Sequence, residues 1–227
     1  MDQRWTPQKI AKCIDHTLLK ADASRDEILH LCAEAREHNF FSVCVNSRWI
    51  ELANAELKNS SVLPIAVVGF PLGASVTNSK AFEAEVCIER GAREIDMVID
   101  LGALKSGEWT QVEKDIYSVV QASRPYPVKV ILETVLLSDD EIIEACRLSQ
   151  KAGAHFVKTS TGFSKGGATA HHVALMRGCV GPQFGVKASG GIGTFKVFQE
   201  MVAAGANRVG SSKSVEILRE AAQAQEK

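Results

Sequence analysis

Two lysines in the second half of the chain each stand at the end of a short apolar run. Lys158 follows "HFV" and precedes "TSTG", and Lys187 follows "FGV" and precedes "ASGG". If the two runs are neighbouring strands, each ammonium group opposes protonation of the other, and partial burial lowers the amine pKa further. A neutral lysine attacks a carbonyl carbon and forms a Schiff base. One such lysine alone would be interpreted as a long side chain reaching a surface carboxylate, but two in equivalent positions indicate covalent chemistry.

A carboxylate in the segment "EIDMVID" is placed to serve these lysines. Strand alternation sets Asp96 on the opposite face from its two apolar neighbours, so we expect it to face the interior of the sheet. There it can move protons through water, or hold Lys187 as a charge partner, and the two roles are compatible. Glu94 and Asp100, in the same segment, are expected at the rim or on the surface.

Glycine and serine clusters predict a phosphate site. "KASGGIGTF" places a glycine pair between an apolar run and a helical pattern, and "RVGSS" repeats this arrangement near the C-terminus. Free amides at helix N-termini bind phosphate, and in (β/α)8 barrels the loops after strands 7 and 8 do so frequently. Beside a reactive lysine, these clusters indicate a phosphorylated substrate. The residues concerned are Gly190, Gly191, Gly210, Ser211 and Ser212.

The elements that must position these residues recur along the chain. Eight apolar runs of strand length alternate with stretches of helical length, at the spacing of a βα repeat. This pattern predicts an α/β fold, a (β/α)8 TIM barrel, as a single domain over residues 1–227. An open doubly wound sheet uses the same units, but "CIDHTLLKAD" lacks the glycine-rich turn of that fold. Three capping boxes predict helix starts: Ser24 with Glu27, Thr110 with Glu113, and Ser138 with Glu141.

The composition limits the range of partners. With 26 Lys and Arg against 27 Asp and Glu, the formal net charge is -1, which gives no indication of a nucleic-acid partner. The N-terminal segment "MDQRWTPQKI" has no apolar core of signal-peptide length, and no segment is apolar for long enough to span a bilayer. We therefore expect a cytoplasmic protein without membrane contact. The six cysteines form no CxxC pair and are expected to be free thiols.

Five segments of the chain closely resemble the signature segments of deoxyribose-phosphate aldolases: "IDHTLLKAD", "EIDMVID", "FVKTSTGF", "GATAHHV" and "VKASGGI". They occur in order between Asp15 and Ser212, and the pairing of "KTSTG" with "KASGG" is not expected in another barrel family. The resemblance implies a barrel enzyme that reversibly cleaves 2-deoxy-D-ribose 5-phosphate into acetaldehyde and D-glyceraldehyde 3-phosphate. It implies no metal and no other cofactor, so the expected partners are small phosphorylated sugars and aldehydes.

The resemblance also assigns roles to individual residues. It makes Lys158 the Schiff-base lysine, with Lys187 lowering its pKa and moving the proton together with Asp96. Cys44 matches a cysteine that lines the aldehyde pocket, and Asp15 matches a polar residue near the lysine pair. The remaining predicted substrate-binding residues are Thr159 and the phosphate cradle of Gly190, Gly191, Gly210, Ser211 and Ser212.

The chain departs from the pattern of these aldolases at two places. It has "GSSKS" where relatives often read "GTSSG", so Lys213 replaces a serine that would help to hold phosphate. Its C-terminal segment "AAQAQEK" offers no tyrosine to assist proton transfer, so water would have to serve. Lys213 either contacts the phosphate itself or leaves one hydrogen bond missing.

Histidines supply no metal site in this interpretation. His171 and His172 follow "GGATA" at a predicted helix start and are interpreted as solvated or capping residues. His16 is nearer the rim but has no evident metal partners. A zinc-dependent aldolase would need several convergent histidines at the strand ends, and the sequence does not place them there.

Two other functions stay open alongside the aldolase. A phosphosugar isomerase on the same barrel uses a carboxylate base and forms no covalent intermediate. A non-catalytic barrel could bind a phosphorylated metabolite or pyridoxal phosphate, because the fold alone does not determine function. Neither explains two lysines on adjacent strands beside Asp96. A homo-oligomer is compatible with the sequence, because interface residues on outer helices look like ordinary apolar surface.

Overall fold

Eight parallel strands close into a barrel in the computed structural model, which describes residues 5–225. Each strand pairs with its neighbour in chain order and β8 returns to β1, so the sheet has no free edge. This confirms the predicted (β/α)8 TIM barrel. The strands are β1 (Ile14–Leu18), β2 (Ser42–Asn46), β3 (Leu63–Val68), β4 (Glu94–Val98), β5 (Val128–Ile131), β6 (Phe156–Lys158), β7 (Gly185–Ser189) and β8 (Arg208–Ser211).

Helices surround this barrel on the outside. Within residues 5–225, none of them is long and apolar enough to cross a membrane. The first four residues of the N-terminal segment and the last two of the C-terminal segment lie outside the described range. The helices are α1 (Pro7–Ala11), α2 (Arg25–Glu37), α3 (Ile50–Glu56), α4 (Thr77–Glu89), α5 (Leu101–Lys105), α6 (Trp109–Ala122), α7 (Asp139–Lys151), α8 (Ala170–Val180), α9 (Phe195–Ala203) and α10 (Ser214–Gln225).

Two of the three predicted capping boxes are confirmed. Ser24 caps α2 and Ser138 caps α7, each with the reciprocal bond from the glutamate three residues later. The third prediction is wrong, because Thr110 already lies inside α6. Helical hydrogen bonding begins two residues earlier, where the carbonyl oxygen of Glu108 accepts from the backbone N–H of Val112 at 3.1 Å.

Strand alternation divides the apolar residues into two cores. Outward-facing residues such as Val43, Ile95 and Val130 are fully buried between the strands and the helices. The barrel interior holds a much smaller apolar group, which consists of Leu19, Cys44, Ile65 and Val67. The helix layer therefore supplies most of the apolar burial, and the interior of the barrel has room for charged side chains.

Candidate active site

Lys158 and Lys187 lie directly opposite each other on the paired strands β6 and β7. The Nζ atoms of both lysines donate to the same oxygen, Asp96 Oδ2, at 2.8 Å. All three side chains are buried, and Asp96 faces inward as its strand position predicts. One carboxylate oxygen thus holds two amines close together inside the barrel.

A second layer of ion pairs lies next to this group. Lys129 Nζ donates to Asp96 Oδ1 at 3.0 Å and also to Glu94. Arg208 Nη1 lies 3.3 Å from Glu94 Oε2 and donates to Asp15 Oδ1 at 2.8 Å. Asp15 Oδ2 in turn lies 2.5 Å from the Nζ of the β7 lysine. The contacts close a ring of alternating charges, and we call it, together with Lys158, the interior ion network.

The position of Glu94 corrects an expectation from the sequence. It was expected at the rim or on the surface, but it is buried inside the barrel. Glu94 and Asp96 are two residues apart on one strand and therefore share a face. Lys129 and Arg208 supply the charge that makes burial of Glu94 tolerable, and both were missed by the sequence analysis. The available signal was a basic residue inside a predicted strand, in "VKVI" and "NRVG".

The interior ion network contains more cations than anions. Its four basic side chains face three carboxylates, so the loss of one proton makes it neutral. Burial, aided by the charge of Lys187, lowers the pKa of Lys158, although Asp96 opposes this shift. Burial acts in the same direction on Lys129 and Lys187, but neighbouring carboxylates hold the pKa of each above its usual value. The pKa of Arg208 is raised in the same way, chiefly by Asp15. Lys158 is therefore the only one of these four basic groups whose pKa is shifted towards the neutral form.

Two carboxylates of this network, Asp96 and Asp15, have pKa values below their usual range and stay ionised. Burial favours the protonated form of Asp96, but Lys129, Lys158 and Lys187 together hold its pKa well below the usual range. Lys187 and Arg208 lower the pKa of Asp15 against the same effect of burial. Asp15 Oδ1 also accepts a hydrogen bond from Ser42 Oγ at 2.7 Å. Ionised carboxylates can therefore stabilise positive charge that develops on the neighbouring lysine.

Lys158 opens onto a cavity of about 360 Å³ at the C-terminal ends of the strands. This is the face on which TIM-barrel active sites form. The lining includes all five residues predicted for a phosphate cradle, and it adds Lys20, which the sequence analysis missed. The polar and glycine residues of the lining are Thr17, Lys20, Lys158, Thr161, Gly162, Ser189, Gly190, Gly191, Gly193, Gly210, Ser211, Ser212 and Lys213.

The glycine-rich end of this cavity is built from closely packed backbone. Gly190 has a φ of +86° and its carbonyl oxygen accepts from the backbone N–H of Ala168 at 3.0 Å. A Cβ on Gly167 would lie only 2.2 Å from that oxygen, so the loop after β6 can approach this closely only with glycine. The exposed Ser212 and Lys213 stand at the entrance. The buried Ser211 hydroxyl is instead engaged, because it donates to Ile192 O at 2.6 Å.

Three predicted substrate-binding residues do not line the cavity: Asp15, which belongs to the interior ion network, Thr159 and Cys44. The Thr159 hydroxyl donates to the backbone carbonyl of Ser189 and accepts from its N–H, both at 3.0 Å, so it joins β6 to β7. Cys44 is fully buried in the interior apolar group, and burial raises the pKa of its thiol to about 11. Cys44 is therefore a neutral thiol inside the barrel that does not reach the cavity.

Glu133 is a further residue that the sequence analysis did not assign to the site. It adopts a left-handed backbone conformation with φ of 55°, which is costly for a residue with a side chain. Its carboxylate accepts from both the backbone N–H and the hydroxyl of Thr161. Thr161 lines the cavity, so Glu133 holds the loop that follows Lys158 in place.

Comparisons with known proteins define the class of this enzyme as an aldolase, a lyase. Residues 9–223 match the model of a family described as DeoC/LacD family aldolase. The chain therefore belongs to the DeoC/LacD family of aldolases. The matched range includes every residue of the interior ion network and of the cavity lining.

Individual relatives carry a more specific name. Deoxyribose-phosphate aldolases of Bacillus cereus (strain AH187) and Bacillus anthracis (strain CDC 684 / NRRL 3495) are each 57% identical over 92% of this chain and 94% of their own length. The solved deoxyribose phosphate aldolase of Aeropyrum pernix, described as a tetramer, is 32% identical, with a TM-score of 0.89 over 95% of this chain and 92% of that chain. The resemblance to deoxyribose-phosphate aldolases is thus confirmed.

Proposed function

We propose that this enzyme is a class I aldolase that reversibly cleaves 2-deoxy-D-ribose 5-phosphate into acetaldehyde and D-glyceraldehyde 3-phosphate, through a Schiff base on Lys158. One observation carries the proposal. The interior ion network has one cation in excess, and Lys158 is the member that lines the cavity and has a lowered pKa. The names of the Bacillus relatives support the choice of substrate.

The first step forms the covalent bond. The neutral Nζ of Lys158 adds to the C1 aldehyde of the open-chain sugar, and loss of water leaves an iminium ion. This restores the positive charge that the amine had given up, 2.8 Å from the Asp96 carboxylate. Lys187 keeps its proton through contacts to Asp15 and Asp96, so it can donate to the departing oxygen.

The second step breaks the bond between C2 and C3. Water between Asp96 and Lys187 passes the C3 hydroxyl proton to the amine of Lys187, which gave up a proton in the first step. The electrons of the C2–C3 bond flow into the iminium to give an enamine. Glyceraldehyde 3-phosphate leaves with the new C3 aldehyde. Water polarised between Asp96 and Lys187 then protonates the enamine at carbon, and hydrolysis of the resulting iminium releases acetaldehyde and the free lysine. Each proton removed is returned, so no external oxidant or reductant is needed.

Phosphate binding positions the reacting carbons. We assign the phosphate to the amides of Gly190, Gly191 and Gly210, with Ser212 and Lys213 at the entrance, because these residues line one cavity with Lys158. Gly210 also leaves room for the lysine pair, since a Cβ there would lie 3.0 Å from Lys187 Cε. Binding energy gained at the remote phosphate is used to orient the aldehyde carbon on the amine.

The cellular setting is part of the same proposal. We expect residues 1–227 to form one catalytic domain that works in the cytoplasm as a homo-oligomer. The six cysteines are free, which suits a reducing compartment. The tetrameric relative from Aeropyrum pernix supports association of copies.

A coupled assay tests the reaction. The purified chain is mixed with 2-deoxy-D-ribose 5-phosphate, and glyceraldehyde 3-phosphate is measured through NADH consumption by triosephosphate isomerase and glycerol-3-phosphate dehydrogenase. We expect turnover that is lost in Lys158→Leu and kept in the control Lys114→Leu, at an exposed position on α6. Unphosphorylated deoxyribose should react with a much lower kcat/KM. Absence of product, or equal activity in both variants, would refute the proposal.

A further inference from the structure

Three side chains with metal-binding atoms converge at the rim of the barrel, outside the cavity described above. Asp139 is the first residue of α7, and His171 and His172 lie in the first turn of α8. One ligand atom from each lies within 4.8 Å of the other two. Two helices that follow neighbouring strands thus bring two imidazoles and one carboxylate close together.

The geometry of this group is close to that of a bound metal. His171 Nε2 lies 3.0 and 2.8 Å from the two carboxylate oxygens of Asp139. Two ligands that bind one Zn²⁺ at about 2.0–2.2 Å stand roughly 3.4 Å apart in a tetrahedral site. The rings of His171 and His172 are 5.5 Å apart between centroids. The three ligand atoms lie within 4.8 Å of one another, so side-chain rotation has to bring them closer to share one ion.

A surface ion pair would account for Asp139 and His171 but not for His172. The Nδ1 atom of His172 is buried, and it has no hydrogen-bond partner among the residues that the structure describes. A buried polar atom without a partner is costly and calls for an explanation, of which a bound ion is one. His172 therefore supplies an independent indication that a ligand belongs here.

We propose that Asp139, His171 and His172 form a binding site for a divalent transition-metal ion of the Zn²⁺ and Ni²⁺ class. Imidazole nitrogen favours these ions, whereas Mg²⁺ and Ca²⁺ prefer an all-oxygen set. Two histidines and one carboxylate leave further coordination positions to water, as in other sites with three protein ligands. Asp140 and Glu141, also in the first turn of α7, offset the positive potential of the helix N-termini.

The location of the site gives the metal a structural consequence. The loop after β5 and the loop after β6 are already joined, because Thr134 N donates to Thr159 O at 2.9 Å. The second of these loops also contacts the glycine cradle, through Ala168 N and Gly190 O. A metal bound by side chains of both helices would hold the two loops together next to the cavity. The ion takes no part in the lysine chemistry, so the site stands independently of the proposed reaction.

Calorimetric titration of the full chain, stripped with EDTA and dialysed, tests this inference with ZnCl₂ as the probe. We expect one equivalent bound in the micromolar range or tighter, unaffected by excess Mg²⁺. Asp139→Asn, His171→Asn and His172→Asn should each weaken binding at least about tenfold, whereas His30→Asn, at an exposed histidine on α2, should not. No binding, or equal binding in all four variants, would overturn the proposal.

Cobalt substitution and hydrogen exchange sharpen the test. Co²⁺ held by two imidazoles and a carboxylate gives weak visible bands, whereas cysteine ligation adds an intense near-ultraviolet charge-transfer band. A strong band of that kind would place the metal on thiols and overturn the assignment. Zn²⁺ should also slow amide exchange in the peptide covering residues 159–170 of the wild type but not of His171→Asn. Equal slowing in both proteins would contradict a metal bridge between the two loops.

Discussion

Two buried lysines of this enzyme have different surroundings. Lys80, on α4 outside the barrel, is completely buried and donates to Asp115 Oδ2 at 2.7 Å and to Val98 O at 3.1 Å. Lys158 is also buried, but it shares its carboxylate with Lys187 and lines the cavity. Burial is therefore common to both, and what separates them is the supply of negative charge and access to substrate.

The charge balance is the physical basis of the reactivity that we propose for Lys158. A lysine paired with one carboxylate forms a neutral unit, so losing its proton leaves an uncompensated buried anion. In the interior ion network the opposite holds, because loss of one proton cancels an excess positive charge. A lysine becomes nucleophilic when its site contains one cation too many and opens to a carbonyl substrate. Substitutions that change this balance test the comparison directly.

Replacing Lys158 itself has the largest expected effect. Lys158→Leu removes the proposed nucleophile, so we expect kcat for cleavage of the proposed substrate, deoxyribose phosphate, to fall by at least about 10³-fold. The coupled assay measures the rate, and circular dichroism with thermal unfolding shows whether the barrel is intact. A folded variant that retains substantial turnover would mean that the amine is not essential.

Removing the neighbouring charge comes next. Lys187→Met leaves three cations and three carboxylates, so Lys158 should retain its proton and its pKa should rise. Since the neutral amine is the active form, the rising limb of kcat/KM against pH should move to higher pH, with activity at pH 7 falling by about 10²-fold or more. Lys187→Arg keeps the charge and serves as the control for the position of the limb. An unmoved limb in Lys187→Met would contradict the role of this charge.

A more distant cation tests the charge count without touching the lysine pair. Lys129 lies near the N-terminal end of β5 and contacts Asp96 and Glu94 from there. Lys129→Met should shift the pH limb in the same direction as Lys187→Met, but by a smaller amount and with a modest change in kcat. The double variant Lys129→Met with Glu94→Gln removes one charge of each sign and should return the limb towards its original position. Equal profiles for the single and double variants would show that the total charge does not set the pKa.

The smallest effect on catalysis is expected at the other buried lysine. Lys80→Met leaves Asp115 buried without its cation, and breaking a buried pair in this way typically costs about 3–5 kcal/mol of unfolding free energy. We expect a clear decrease in urea midpoint together with an unchanged kcat per folded molecule. A large loss of kcat in folded protein would mean that burial of charge outside the barrel also contributes to the chemistry.

The fold and the group formed by Asp96, Lys158 and Lys187 could be predicted from the sequence, because both depend on local pattern. Strand alternation is a local property, so it placed Asp96 inward and put Lys158 and Lys187 at matching strand ends. The same rule sets Thr159, one residue after Lys158, on the opposite face, and its hydroxyl indeed bonds to β7 rather than facing the cavity. That signal was available in the sequence.

The contacts of Lys129, Glu94 and Arg208 in the interior ion network could not be predicted in the same way. Arg208 binds Asp15 across the closure of β8 onto β1, a contact between residues 193 positions apart. A basic residue inside an apolar run indicates a buried partner but does not say which one until the barrel closes. The excess of one cation is a property of the assembled interior, so it follows only from the structure.

Reductive trapping of the Schiff base tests the central claim most directly. The enzyme is mixed with acetaldehyde, reduced with borohydride and digested, and the added ethyl group is located by peptide mass mapping, with Lys158→Leu treated in parallel. We predict modification confined to Lys158 in the wild type and none at the remaining network lysines in the variant. An unmodified Lys158 in folded, catalytically active protein would contradict the covalent mechanism.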